Sequence, residues 1–62
     1  MTFTEYLNTV RLNVAKDLLI TSNYNLSEIA REAGYTDLSY FSKLFKKEYG
    51  ISPSKYRKEN RL

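Results

Sequence analysis

The two glycines and the single proline of this 62-residue chain all stand where a helical segment ends or begins. Gly34 and Gly50 each follow a stretch with helical spacing, at the position where a helix C-terminus favours a left-handed residue. Pro53 follows Ser52, a pair typical of a helix N-cap with proline in the first turn. No segment between these points alternates with the period of a strand, so the sequence predicts an all-α fold.

The helix starts are marked as clearly as the ends. Thr2 with Glu5 and Asn25 with Glu28 have the three-residue spacing of N-terminal capping pairs, and Asp37 is placed to cap a third helix. The sequence therefore predicts a small four-helix domain. Its predicted parts are a first helix within residues 1–22 (Phe3 to Thr21), a helix from Leu26 to about Ala33, a third helix at 38–49, and a last helix at 53–59.

The first helix is predicted to have two apolar faces. One stripe recurs at three- and four-residue spacing and contains Phe3, Tyr6, Leu7, Val10, Val14 and Leu18. A smaller patch of Leu12, Ala15 and Leu19 is predicted about a third of a turn away. One helix is therefore expected to have two surfaces to bury.

Composition removes several classes of function. The chain has no cysteine and no histidine. It therefore lacks the residues for a disulfide framework, a Cys/His zinc site, a thiol nucleophile or proton transfer by imidazole. We expect no enzyme activity and no cofactor. No apolar run approaches the roughly 18 residues of a membrane span, and a cytoplasmic location is expected for such a chain without a signal peptide.

Charge is distributed unevenly along the chain. The formal charge is −2 over residues 1–42 and +5 over residues 43–62. A basic C-terminal third indicates a polyanionic partner, with an ordinary solvated surface as the alternative.

Residues 26–49 match the arrangement of a helix-turn-helix, in which the second helix enters the DNA major groove. On a helical wheel of residues 38–49, the apolar side chains occupy an arc of about 140° and the opposite arc spans about 160°. That opposite arc contains no acidic residue and consists of Ser39, Tyr40, Ser42, Lys43, Lys46 and Lys47. The arrangement predicts that Ser39, Tyr40, Ser42 and Lys43 contact bases and that Lys46 and Lys47 contact phosphates. The alternative is a face that only keeps the helix soluble, but such a face would ordinarily mix charges of both signs.

Residues outside this helix have two interpretations. Asn25, Ser54 and Lys55 stand at helix N-termini, where backbone N–H groups can hold a phosphate, but a purely structural role at the helix start is the alternative at both places. Tyr24, Tyr35 and Tyr56 are expected to close the core with their hydroxyls reaching solvent. Arg11, Arg31 and Glu32 are expected to be surface or salt-bridge residues.

The run of residues 27–57 closely resembles the signature of AraC/XylS-family transcription regulators. The resemblance includes Ala33-Gly34-Tyr35, Ser39-Tyr40-Phe41, Gly50-Ile51-Ser52-Pro53 and Tyr56-Arg57. Upstream, Thr2-Phe3-x-x-Tyr6-Leu7 and Arg11-Leu12-x-x-Ala15-x-x-Leu18-Leu19 resemble that family's central linker helix.

This resemblance implies a homeodomain-like module of a bacterial regulator that binds double-stranded promoter DNA in a sequence-specific manner. In that family two helix-turn-helix subdomains are joined by a long helix, and this chain corresponds to the linker helix and the second subdomain. The expected partners are the first subdomain, covering Leu12, Ala15 and Leu19, and an effector-binding or receiver domain. The resemblance assigns base contacts to Ser39, Tyr40, Ser42 and Lys43. The alternative function is a small helical protein-interaction module that uses the same exposed helix.

Overall fold

Four helices follow one another along residues 2–61, the part of the chain that the computed structural model describes. They are α1 (Phe3–Thr21), α2 (Leu26–Glu32), α3 (Leu38–Tyr49) and α4 (Pro53–Asn60), and no strand occurs between residues 2 and 61. The prediction of a small four-helix, all-α fold is confirmed. α2 ends one residue early because Ala33 is its C-cap, and α4 continues to Asn60. Met1 and Leu62, the outermost residues of the predicted 1–62 domain, lie outside the described residues.

Side chains close the helix N-termini as the sequence predicts. At α1 the Thr2 hydroxyl accepts a hydrogen bond from the Glu5 N–H at 3.1 Å, and the Glu5 carboxylate accepts one from the Thr2 N–H at 3.2 Å. Asn25 and Glu28 form the same reciprocal pair at α2, at 2.8 and 3.1 Å. Both capping boxes are confirmed, and each satisfies backbone N–H groups that the first turn leaves without a partner.

The two glycines have the left-handed backbone that their positions predict. Gly34 has φ of 98° and Gly50 has φ of 82°. A Cβ atom at Gly34 would lie 3.0 Å from the Nε of Arg11, so a larger residue would strain the left-handed backbone and also require the Arg11 side chain to shift slightly. The chain therefore reverses sharply between α2 and α3, with the side chain of Arg11 packed against the turn.

The core lies between α1 and the three shorter helices. α1 packs against α2 and α4, and α3 packs against the same two helices. The fully buried large side chains are Phe41, Phe45, Leu19, Ile29 and Pro53. The packing of these buried side chains determines how α3 is oriented relative to α1.

The face of α1 that was expected to be covered by a partner is buried in the core of this chain. Leu12, Ala15 and Leu19, which we call the inner patch, are at most 2% exposed and belong to the core. Phe3, Tyr6, Val10 and Val14, which we call the outer stripe, are between 42% and 79% exposed. The expectation that the inner patch awaits a partner is wrong, and the outer stripe is the exposed apolar surface.

Geometry explains the error. At 100° per residue, the mean directions of the outer stripe and the inner patch differ by about 170°, far more than a third of a turn. Neighbouring helices that cover one side of α1 therefore leave the other side exposed. Ala15 is small enough for a helix to approach closely, which favours burial of the inner patch against α2 and α4.

One further expectation about an individual side chain is corrected. Tyr24 lies in the connection between α1 and α2 and is 43% exposed, so it does not close the core. Tyr35 is buried in the core as expected, and its hydroxyl donates to Asn8 Oδ1 at 2.9 Å. The half-buried Tyr56 does pack against the core, with its ring centroid 5.7 Å from that of Phe45.

Candidate nucleic-acid interface

The turn between α2 and α3 determines where the third helix starts. The carboxylate of Asp37 accepts hydrogen bonds from the backbone N–H groups of Ser39 at 2.9 Å and Tyr40 at 3.3 Å. These bonds occupy the N–H groups that the first turn of α3 would leave free. The predicted cap is confirmed, and it holds Ser39 and Tyr40 at the leading end of the helix.

Aromatic packing holds the inner face of α3. Phe41 and Phe45 are fully buried, with ring centroids 6.0 Å apart. Phe45 also contacts Tyr49 at 4.6 Å, and Tyr35 contacts Phe41 at 5.6 Å. Because offset and tilted aromatic contacts at these distances are favourable, the rotation of α3 about its axis is well determined.

The opposite face of α3 brings the predicted contact residues together. Ser39, Tyr40, Lys43, Lys46 and Lys47 are all exposed on it. Ser42 is half-buried and reaches less far from the helix. Leu38 is 37% exposed at the edge of this face. We call Ser39, Tyr40, Ser42, Lys43, Lys46 and Lys47 the outer face of α3.

No acidic residue of α3 belongs to this face. Glu48, the acidic residue of α3, lines a groove with Glu5 of α1, and Lys47 of the outer face borders the same groove. The lysines of the outer face form no ion pair with a carboxylate of residues 2–61. Their ammonium groups are therefore available to an anionic partner.

The predicted phosphate contacts outside α3 lie at two other helix starts. Asn25 caps α2, and its side-chain oxygen is engaged by the Glu28 N–H. Ser54 and Lys55 are exposed in the first turn of α4, which Ser52 caps. Lys55 lies 4.0 Å from the Glu59 carboxylate in an exposed ion pair, an interaction of small energy that another anion can replace.

Arg57 has a structural position that the charge pattern does not reveal. Its Nε donates to the backbone oxygen of Leu19 at 2.9 Å, and its Nη2 donates to that of Ser22 at 3.4 Å. These bonds satisfy carbonyl groups at the end of α1 and connect α4 to it. One of the seven basic residues in the last third of the chain therefore stabilises the fold instead of facing a partner.

Arg11 also differs from its predicted surface or salt-bridge role. It is half-buried, and its guanidinium carbon lies 5.7 Å from the centre of the Tyr35 ring. That distance is within the range of a cation–π contact. Sequence spacing alone could not have paired residues 24 positions apart, although Gly34 beside Tyr35 marks a point of close backbone approach.

Two tyrosine hydroxyls connect α1 to the turn before α3 and to the last residue of α3. Tyr35 donates to Asn8, and Tyr49 donates to Asn13 at 3.2 Å. Burial raises the pKa of Tyr35 above its ordinary value of 10.0, with Arg11 acting in the lowering direction. Burial likewise raises the pKa of Tyr49, and the carboxylate of Glu48 adds to that rise. Both hydroxyls are therefore protonated donors at neutral pH.

A helix, a glycine turn and a second helix with an unpaired basic face define a helix-turn-helix domain. The model of the helix-turn-helix domain family matches residues 1–59. The chain belongs to the AraC/XylS-type helix-turn-helix family of DNA-binding transcription regulators, whose members are regulators rather than enzymes.

Individual relatives agree with this assignment. The chain is 50% identical over 54 residues to YisR, an HTH-type transcriptional regulator of Bacillus subtilis, covering 87% of this chain and 19% of YisR. The C-terminal domain of the response regulator yesN from Fusobacterium nucleatum matches 92% of this chain with a TM-score of 0.89 and 42% identity. The C-terminal domain of AraT, a response regulator from Geobacillus stearothermophilus, matches all of it with a TM-score of 0.96 and 35% identity.

The chain is shorter than the proteins it resembles. It spans about a fifth of the length of the first curated relatives and 55% and 51% of the yesN and AraT domain structures. Among the described residues, none of the helices is both long and apolar enough to cross a membrane.

Proposed function

We propose that this chain binds duplex DNA in a sequence-specific manner, with α3 inserted in the major groove, as part of a bacterial transcription regulator. The observation that supports this most strongly is the outer face of α3, which carries three lysines and no carboxylate on a helix held by buried aromatic rings. The major groove is about 12 Å wide and admits one α-helix. If its target is bacterial promoter DNA, the protein acts in the cytoplasm.

Roles within the outer face follow from position. Ser39, Tyr40, Ser42 and Lys43 are proposed to contact base edges, since they occupy the first half of the helix where the groove would be entered. Lys43 has the side chain best suited to donate to guanine O6 and N7. Ser42 is half-buried, so its contact is restricted to a base that approaches the helix closely. Lys46 and Lys47 are proposed to bind the phosphates beside the groove.

Phosphate contacts are also proposed at the flanking helices. Ser54 and Lys55 can offer a hydroxyl and an ammonium group beside the first turn of α4, whose positive dipole end favours an anion. At Asn25 the capping box takes up the side-chain oxygen, so a phosphate contact there would use the amide NH2 group.

A preceding helix-turn-helix subdomain is the proposed partner of the outer stripe on α1. Phe3, Tyr6, Val10 and Val14 form an exposed apolar surface, and the yesN and AraT domain structures each extend over about as many residues again as this chain covers. Exposed apolar area of this kind marks a docking surface. We further propose that an effector-binding or receiver domain belongs to the complete regulator.

Solvent labelling tests that partner. Hydroxyl-radical footprinting should show Tyr6 and Val10 protected in the full-length protein and labelled in the isolated 62-residue chain. Leu19, which is buried in the core, is the matched control and should be protected in both. Equal labelling of Tyr6 and Val10 in the two proteins would show that no preceding subdomain covers the stripe.

Selection from a random-sequence duplex pool tests the DNA-binding function. We expect the full-length protein to enrich a defined sequence, with affinity that falls steeply as salt rises because bound lysines release counterions from the phosphates. Suppose instead that no sequence is enriched and that the protein binds another protein with an affinity that does not change with salt. That result would indicate a helical protein-interaction module.

A further inference from the structure

Tyr35 lies where α1, the turn and both faces of α3 meet. It is only 6% exposed, although it stands directly after the turn glycine. Its hydroxyl is bonded to Asn8 of α1, and the guanidinium of Arg11 lies against its ring. The position of the Tyr35 ring is therefore determined by two side chains of α1.

The same ring contacts the outer face of α3. The Tyr40 ring meets the Tyr35 ring edge-on, with centroids 6.2 Å apart and an interplanar angle of 64°. Tyr40 is 52% exposed, so Tyr35 limits it on one side while the other side remains free for a partner. A side chain restrained in this way has less conformational freedom to lose when it binds.

We propose that Tyr35 is a positioning residue that acts through Tyr40. It holds the Tyr40 ring in the orientation for a base contact and links that orientation to α1 through Asn8 and Arg11. The inference rests on the proposed DNA-binding function and adds a specificity-determining role for a buried residue that touches no base. A displacement of about 1 Å at a recognition side chain is enough to weaken a directional contact.

The other end of α3 offers a matched control. Tyr49 donates to Asn13 of α1 in the same chemical arrangement, at 3.2 Å against 2.9 Å for Tyr35 and Asn8. Its ring packs on Phe45 of the inner face, and the outer face is not among its ring contacts. Loss of the Tyr49 hydroxyl therefore affects the fold without affecting Tyr40.

The experiment compares Tyr35→Phe, Asn8→Ala and Tyr49→Phe in the full-length protein, at a temperature where circular dichroism shows each variant folded. Each is titrated with the duplex that the parent protein enriches and with random duplex. Tyr35→Phe and Asn8→Ala should lower the ratio of the two affinities by about threefold to tenfold, the size of one hydrogen bond. Tyr49→Phe should leave that ratio unchanged within about twofold.

A double-mutant cycle shows whether Tyr35 acts through Tyr40. In a Tyr40→Ala background, Tyr35→Phe should have no further effect on the affinity ratio, because coupled residues are not additive. Full additivity, or an equal effect of Tyr49→Phe, would overturn the positioning role. Failure of the parent protein to enrich any duplex would instead refute the DNA-binding function, so the two failures are distinguishable.

Discussion

α1 and α3 both have one buried and one exposed face, but only α3 shows from its sequence which is which. The outer face of α3 is polar and basic while its inner face is aromatic, so the chemical contrast indicates the orientation. Both faces of α1 are apolar, and there the prediction was wrong. Helical periodicity thus identifies surfaces that need a partner, whereas the choice of partner depends on where the neighbouring helices lie.

The largest effect is expected on the inner face of α3. Phe45→Ala should lower the free energy of unfolding by about 3–5 kcal/mol, because it removes a fully buried ring from a small core. Chemical denaturation followed by circular dichroism measures this. Lys47→Ala on the outer face is the control and should change stability by less than about 0.5 kcal/mol. An equally stable Phe45→Ala protein would mean that α3 is rotated relative to the structure.

A smaller difference is expected between the two faces of α1. In the isolated chain Leu19→Ala should cost about 2–5 kcal/mol of stability, because the side chain is buried between helices. Val14→Ala on the outer stripe should change it by less than about 0.5 kcal/mol. Thermal unfolding of both variants gives the comparison. The reverse order of effects would mean that the outer stripe, and not the inner patch, lies in the core.

The smallest effect is expected at high pH. Burial raises the pKa of Tyr35 and Tyr49, so the folded state favours their protonated forms. This contribution is fully present below the ordinary value of 10.0 and is lost as pH rises above it. Urea unfolding from about pH 9 to about pH 11 should show falling stability, with a shallower fall in Tyr35→Phe. Identical profiles for that variant and the parent would show that Tyr35 makes no such contribution.

Local signals account for the part of the fold that the sequence predicted. The capping pairs Thr2–Glu5 and Asn25–Glu28 and the left-handed Gly34 and Gly50 each depend on residues within a few positions of one another, and all are confirmed. Together with the Asp37 cap they mark the start of α1 and both ends of α3. Backbone capping of this kind is visible in sequence because it needs no tertiary contact.

Long-range contacts account for what the sequence did not show. Arg57 binds carbonyl groups at the end of α1, and Arg11 packs on Tyr35, although the charge pattern does not distinguish either from the other basic residues. The candidate DNA contacts on α3 could be grouped on one face from helical geometry alone. Their support by Asn8 and Tyr35 depends on how α1 crosses the turn, and no local pattern specifies that crossing.

The central claim, that the outer face of α3 reads DNA sequence, is tested most directly by comparing Lys43→Ala with Lys46→Ala in the full-length protein. Lys43→Ala should weaken binding to the enriched duplex by about 1–3 kcal/mol and barely affect random duplex, because a base contact is lost. Lys46→Ala should weaken both duplexes alike and lower the salt slope by about one unit, because a phosphate contact is lost. Equal losses on both duplexes for both variants would contradict the claim and leave α3 as an electrostatic anchor.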